Sequence, residues 1–189
     1  STSLSTGGGV FTFPPRLVPE HPGLTNFVEV VQALPVGRYF LNSVLLTVYG
    51  VLGTLLVCSL AAYPLARMDF PGRDAILAAL LGTLLLPNEA AFVVNFLTLG
   101  RLGLVNTYTG VVLPSLASVV GIFLLRQAYL AIPQELLDAA RVDGASELRI
   151  WARIVLPLSR PALAALGTFS FVAYWNSFIW PLVVLRDPD

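Results

Sequence analysis

Residues 135–157 read Glu135-Leu-Leu-Asp138-Ala139-Ala140-Arg141-Val-Asp143-Gly144-Ala-Ser-Glu147-Leu-Arg-Ile-Trp151-Ala-Arg-Ile154-Val-Leu156-Pro157. The stretch is polar and lies between two long apolar runs, about Thr109–Leu130 and Ala162–Leu185. It therefore reads as a folded loop outside a bilayer, on a chain that is otherwise mostly inside one. Pro133 suits the opening of a helix, where its missing N–H is unsatisfied anyway. A helix of about two turns over Gln134–Val142 follows. Asp143-Gly144 is a stop, because glycine tolerates the left-handed cap conformation. A second helix is predicted from Ala145 or Ser146 to about Val155, and Pro157 marks a turn into the next apolar run.

Working outward, 56% of the 189 residues are hydrophobic and 12% are charged, and the mean hydropathy is +0.79. Soluble domains carry about twice that charge fraction, so the chain belongs with integral membrane proteins. The basic residues are all arginine, and the formal net charge is zero. Nothing in that balance points to a nucleic-acid partner. Cys58 is the sole cysteine, which excludes an intrachain disulfide and argues against a metal cluster. The sole histidine, His21, stands among prolines and reads as a loop residue.

Four apolar runs are each long enough for a hydrocarbon layer of about 30 Å. They are about Tyr39–Tyr63, Ala75–Thr98 (interrupted at Pro87-Asn88-Glu89), Thr109–Leu130 and Ala162–Leu185. Backbone polar groups in lipid must bond to one another, so these runs should be helices. Residues 1–38, rich in Ser, Thr, Gly and Pro, form the predicted N-terminal loop and carry no signal-peptide pattern. Within it, Leu24, Phe27, Val28, Val31 and Leu34 recur at helical spacing and predict a short amphipathic helix along the membrane surface. Arg67, Arg73, Arg126, Arg141, Arg149, Arg153 and Arg160 fall on one side of the runs, and Arg16, Arg38, Arg101 and Arg186 on the other. The arginine-rich side, with the 135–157 loop, is then cytoplasmic, and the N-terminal loop is outside.

Asp138, Ala139, Ala140, Gly144, Ile154, Leu156 and Pro157 fall on the Glu-Ala-Ala…Gly…Ile-x-Leu-Pro pattern of permease subunits in binding-protein-dependent ABC importers. The chain resembles that family, departing from it at Asp138, where the family usually has Glu. Phe40-Leu-Asn-Ser43, Leu60-Ala-Ala-Tyr63-Pro64-Leu-Ala-Arg67, Leu102-Gly-Leu-Val-Asn-Thr-Tyr108 and Trp175-Asn176-Ser-Phe-Ile-Trp180-Pro-Leu182 carry the likeness further. They are similar to the carbohydrate branch, with its maltose and glycerol-phosphate permeases. The resemblance implies an all-α polytopic helix bundle with the type I ABC importer permease fold, in the cytoplasmic membrane of a prokaryote. It implies a transmembrane domain over residues 39–189 with a cytoplasmic coupling loop at 133–160. Six spans are usual in the family, so a count of four suggests a fragment lacking one helix at each end.

The resemblance further implies a transport subunit rather than an enzyme. Its partners would be a separate ATPase pair, which binds ATP and Mg, a second homologous permease subunit and an extracytoplasmic solute-binding protein. No phosphate-binding Gly-x-x-x-x-Gly-Lys-[Ser/Thr] loop can be present without lysine, so no cofactor is expected in this chain. Asp138, Ala139, Ala140, Asp143 and Gly144 are the expected ATPase contact, and Asp138, one methylene shorter than Glu, would re-space any ion pair there. Glu89 is the odd charge: a carboxylate deep in a span costs about 2.5–3.5 kcal/mol, so it should face protein or water. Asn88, Glu89, Asn95, Trp175 and Asn176 are candidates for a polar solute path. Alternatively Glu89 sits at the outer interface or pairs with an arginine, and Trp175-Asn176 only packs helices. A sugar is the first reading of the cargo. A non-sugar solute, and a standalone secondary transporter, are the alternatives. An intramembrane enzyme would need a catalytic set that the spans lack.

Overall fold

The computed structural model describes residues 25–85 and 88–185, and side chains at 25–27 and 88–90 lie outside the described part. The proline-rich stretch before residue 25, Pro87 and Arg186 lie outside it as well. The chain divides into two compact units, Ser1–Val44 and Leu45–Asp189. In the first, α1 (Thr25–Ala33) forms over the apolar periodicity at 24–34, with Val28, Val31 and Leu34 exposed. It is followed by the opening of α2 (Val36–Arg67), which begins directly after Pro35.

In the second unit every described regular element is helical, as the backbone's need for internal hydrogen bonds requires. After α2 come α3 (Arg73–Thr83), α4 (Asn88–Leu102), α5 (Tyr108–Val112, continued by a 3-10 turn at Leu113–Ser115) and α6 (Val119–Leu130). Then follow α7 (Gln134–Val142), α8 (Glu147–Ile150), a π-turn at Trp151–Val155, α9 (Leu156–Leu158), α10 (Arg160–Trp175) and α11 (Ile179–Val184).

Four spans were expected, the second of them interrupted, and the described residues hold one helix of crossing length, α2, with 32 residues. At 1.5 Å per residue it is about 48 Å long. The second apolar run is two helices, α3 and α4. The third bends by 57° between Ser115 and Val119. There Ser118 leaves the helical conformation and its Oγ accepts from Gly121 N at 3.2 Å, capping a fresh helix. The fourth run breaks at Asn176–Phe178, because Pro181 has no N–H to return to Ser177 and Asn176 already ends α10. An 81° bend at Ser159 also sets Glu147–Leu158 nearly perpendicular to α10.

Pro157 does not make the predicted turn. The helical path continues one residue further, to Leu158, and the turn into α10 falls at Ser159. Just before the proline the backbone widens, and Leu156 N–H bonds to Trp151 O, five residues back. A widened turn relieves the clash between a proline ring and the carbonyl four residues earlier.

The principal core joins the lower part of α2 to α6, α7, α8, the π-turn and α10 through Cys58, Tyr63, Leu125, Tyr129, Leu137, Ile150, Val155 and Leu166. Close approach of α6 to its neighbours depends on Gly121. A Cβ there would lie 2.8 Å from Leu166 Cδ1 and 3.2 Å from Cys58 Sγ. Elsewhere Leu52, Val93, Val94, Val120, Phe169 and Phe178 are exposed. Such surface is costly in water and costless in hydrocarbon, in keeping with helices built for a bilayer.

Candidate functional site

The loop of residues 133–158 is held from inside. Leu137 is the one buried residue of α7, 0% exposed, and lies in the core with Ile150 and Val155 of the returning arm. Around that apolar anchor runs a chain of polar contacts. Trp151 Nε1 donates to Ser59 Oγ at 2.9 Å, and Ser59 Oγ shares a 2.7 Å hydrogen bond with Tyr129 OH. Arg67, at the end of α2, donates from Nε to Tyr129 O at 2.9 Å and from Nη1 to Gln134 Oε1 at 2.8 Å. Its Nη2 also donates to the carbonyls of Tyr129 and Ile132. Arg126 of α6 returns the arrangement, donating to Leu65 O at 3.1 Å. Arginines from the neighbouring helix thus bond the carbonyls at the end of each helix, Tyr129 O accepting from Ile132 N–H as well.

Between the loop's two helices, Glu147 is the centre. Tyr63 OH donates to its Oε2 at 2.5 Å, and Arg141 Nε donates to its Oε1 at 2.8 Å. Arg141 Nη1 also reaches Asp138 Oδ1 at 2.8 Å, and Gln134 Nε2 donates to the same oxygen at 3.0 Å. The Arg141 guanidinium first, and the Tyr63 hydroxyl second, hold the Glu147 carboxyl below the usual carboxylate range. The same pairing raises Arg141. A depressed folded value means that the stabilisation is present above the unfolded carboxyl value and is lost as pH falls through the folded one. The loop of the full-length subunit is therefore expected to gain protease sensitivity below about pH 4. Glu147→Gln should flatten that acid limb, and an unchanged acid profile in the variant would refute the assignment.

The turn between the helices has the six-residue cap that glycine favours. Ala145 N–H bonds to Ala140 O at 2.9 Å and Gly144 N–H to Arg141 O at 3.0 Å, with Gly144 at φ +75°. These are the paired bonds of a Schellman motif. Of the expected contact residues, Asp138, Ala139, Asp143 and Gly144 are exposed, whereas Ala140 is half-buried against the core. The two alanines therefore do not share one open face: Ala139 looks out and Ala140 packs in. The sequence reading missed Val142 and Leu148, which are 88% and 65% exposed on either side of the cap. An apolar residue flanking a helix stop was the available signal.

A separate cavity of about 670 Å³ lies among the end of α3, α4, the α5–α6 bend and α11. Of the candidate path residues, Asn95 lines it. Trp175 and Asn176 are placed elsewhere. Trp175 stacks on Phe171, with centroids 5.6 Å apart. The Asn176 amide donates to Val172 O at 2.9 Å and so serves the end of its own helix. Asn88 and Glu89 have side chains outside the described part. Ser177, within the break, and Trp180, just past it, reach the cavity. Trp180 is fixed by a 2.9 Å bond from Nε1 to Val111 O and by an edge-to-face contact with Phe92, centroids 5.0 Å apart.

Residues 23–189 match the profile of the family described as binding-protein-dependent transport system inner membrane component. The chain belongs to that family. Among its relatives, this inner membrane component is 39% identical over 190 residues to the arabinooligosaccharides transport system permease protein AraQ of Halalkalibacterium halodurans, covering 100% of this chain and 67% of that protein. It is 38% identical over 186 residues to the sn-glycerol-3-phosphate transport system permease protein UgpE of Pectobacterium atrosepticum, covering 95% and 66%. It is 33% identical over 190 residues to the diacetylchitobiose uptake system permease protein NgcG of Streptomyces coelicolor, covering 100% and 63%. Its fold is also similar to a chain in the crystal structure of a bacterial ABC transporter involved in the import of the acidic polysaccharide alginate. There the TM-score is 0.87 and the identity 27%, covering 99% of this chain and 66% of that one. The chain thus spans about two thirds of the length of these proteins. All-helical architecture and membrane residence follow from membership.

Proposed function

We propose that this permease subunit carries a sugar or small oligosaccharide across the cytoplasmic membrane, driven by ATP hydrolysis on a separate ATPase pair. The observation that carries the reading is the capped loop: Val142 and Leu148 stand exposed beside Asp138, Ala139 and Gly144, while Leu137 and the Tyr63–Glu147–Arg141 contacts tie the same loop to the bundle. An exposed apolar pair on a rigid support suits a partner surface. Rigidity behind it lets movement of the docked ATPase reach the helices instead of being absorbed by the loop. A second homologous permease subunit would complete the pathway, and a solute-binding protein would deliver cargo from outside. ATP and Mg belong to the partner, since this chain has no lysine from which to build a phosphate-binding loop.

Purification of the full-length subunit from detergent, with and without Val142→Asp/Leu148→Asp, tests the reading. Wild-type protein should bring an ATPase subunit with it, and the double variant should lose it. Equal recovery of the ATPase with both would refute docking at this loop. The same reading places the loop in the cytoplasm. Because Cys58 is buried, a cysteine at exposed Ser146 should be the reactive thiol. Ser146→Cys should react only with reagent supplied from the cytoplasmic side, and reaction from outside would invert the topology.

A further inference from the structure

We infer that the cavity beside Trp180 is a subsite for a neutral polyhydroxylated solute, not for an anionic one; this rests on the importer reading above. The lining combines the Asn95 amide, the hydroxyls of Ser115, Ser118 and Ser177, and the rings of Phe92 and Trp180. Its volume of about 670 Å³ lies within the span of about 300–1,000 Å³ usual for small-molecule sites. Amide and hydroxyl groups both donate and accept, which matches sugar hydroxyls that do the same. The Ser118 oxygen already accepts from Gly121 N–H, so its proton remains for a solute oxygen. The Trp180 N–H is spent on Val111 O, so the indole offers its ring rather than its polar edge. An aromatic face beside hydroxyl-directed groups is the surface that the C–H face and the rim of a sugar ring require.

Charge separates the candidates. Phosphate and carboxylate solutes are held by arginine, lysine or clustered backbone N–H groups. Among the described lining residues none is charged. By this criterion the subsite suits a neutral oligosaccharide better than a glycerol phosphate or an acidic polysaccharide.

Thiol protection in the assembled, full-length importer tests this. Ser177→Cys introduces a thiol on the cavity wall, away from buried Cys58. Arabinotriose at about ten times its half-protecting concentration should slow alkylation of that thiol about tenfold, while glycerol 3-phosphate at the same concentration should not. Adding Trp180→Ala should abolish the protection. Asn95→Ala, which removes no hydrogen bond on which the fold depends, should weaken it should the tryptophan variant fail to fold. Equal alkylation with and without arabinotriose, the ATPase still bound, would overturn the subsite and leave the importer reading standing. Equal protection by glycerol 3-phosphate would overturn the neutral preference. Preparations that never retain an ATPase would sink the importer reading, and the cavity's part in import with it.

Discussion

Leu137→Ala is expected to weaken the seating of the cytoplasmic loop by about 2–5 kcal/mol, the usual cost of emptying a packed leucine site. Leu137 is fully buried, and it is the only buried side chain of α7. Nothing else on that helix offers comparable apolar contact, so the loss falls on the loop. Tryptic cleavage at exposed Arg149 of the full-length subunit in detergent would measure it. If local opening limits cleavage, a loss of about 2 kcal/mol speeds it about thirtyfold. Leu136→Ala is the control: Leu136 is 48% exposed, and exposed sites change stability by about 0.5 kcal/mol or less. Equal cleavage rates for the two variants would contradict the buried anchor.

Gly144→Val should have the next largest effect. At φ +75° glycine occupies the left-handed region, and an L residue there costs about 1–2 kcal/mol. Valine adds the stiffness of a β-branched side chain, whose outlier conformation is rarer still. No atom lies within 4 Å of a Cβ built at this position, so space is not the obstacle; the backbone is. Relief would unmake the Ala145–Ala140 and Gly144–Arg141 bonds and swing Val142 and Leu148 apart. ATPase recovery with the purified subunit should then fall sharply. Gly144→Asn, which tolerates the left-handed region, should restore most of it. Similar losses from valine and asparagine would show that the position needs emptiness and not a conformation, against the geometry described here.

Much of the loop was legible in the sequence. The helix at Gln134–Val142 and the left-handed stop at Gly144 appear where Pro133 and Asp143-Gly144 predict them, because caps and stops are local chemistry. The apolar runs and their helical state were legible as well, since composition alone separates a bilayer helix from a soluble one. Breaks within the runs were less so. Pro181 stood in plain view, yet a proline inside an apolar run is compatible with a kink, a stop or a widened turn, and neighbouring helices choose among them. Pro157 was read as a turn and is accommodated by the π-turn before it.

Which side chains meet was the tertiary structure's decision. Tyr63 and Glu147 are 84 positions apart, and Ser59 and Trp151 are 92 apart. No periodicity in either segment marks them as partners. The residues round the cavity show the same limit, because the break at Asn176–Phe178 resets the helical phase after Trp175. It aims Trp180 at the cavity, while Trp175 stacks on Phe171. Sequence by itself determined the membrane class, the helical state, the family and the capped loop, all of which rest on composition and on contacts within a few residues. Tertiary structure alone decided how the loop is gripped and which polar groups line the cavity, because those depend on helices meeting across long separations, where hydrogen bonding and packing are satisfied only once the bundle has formed.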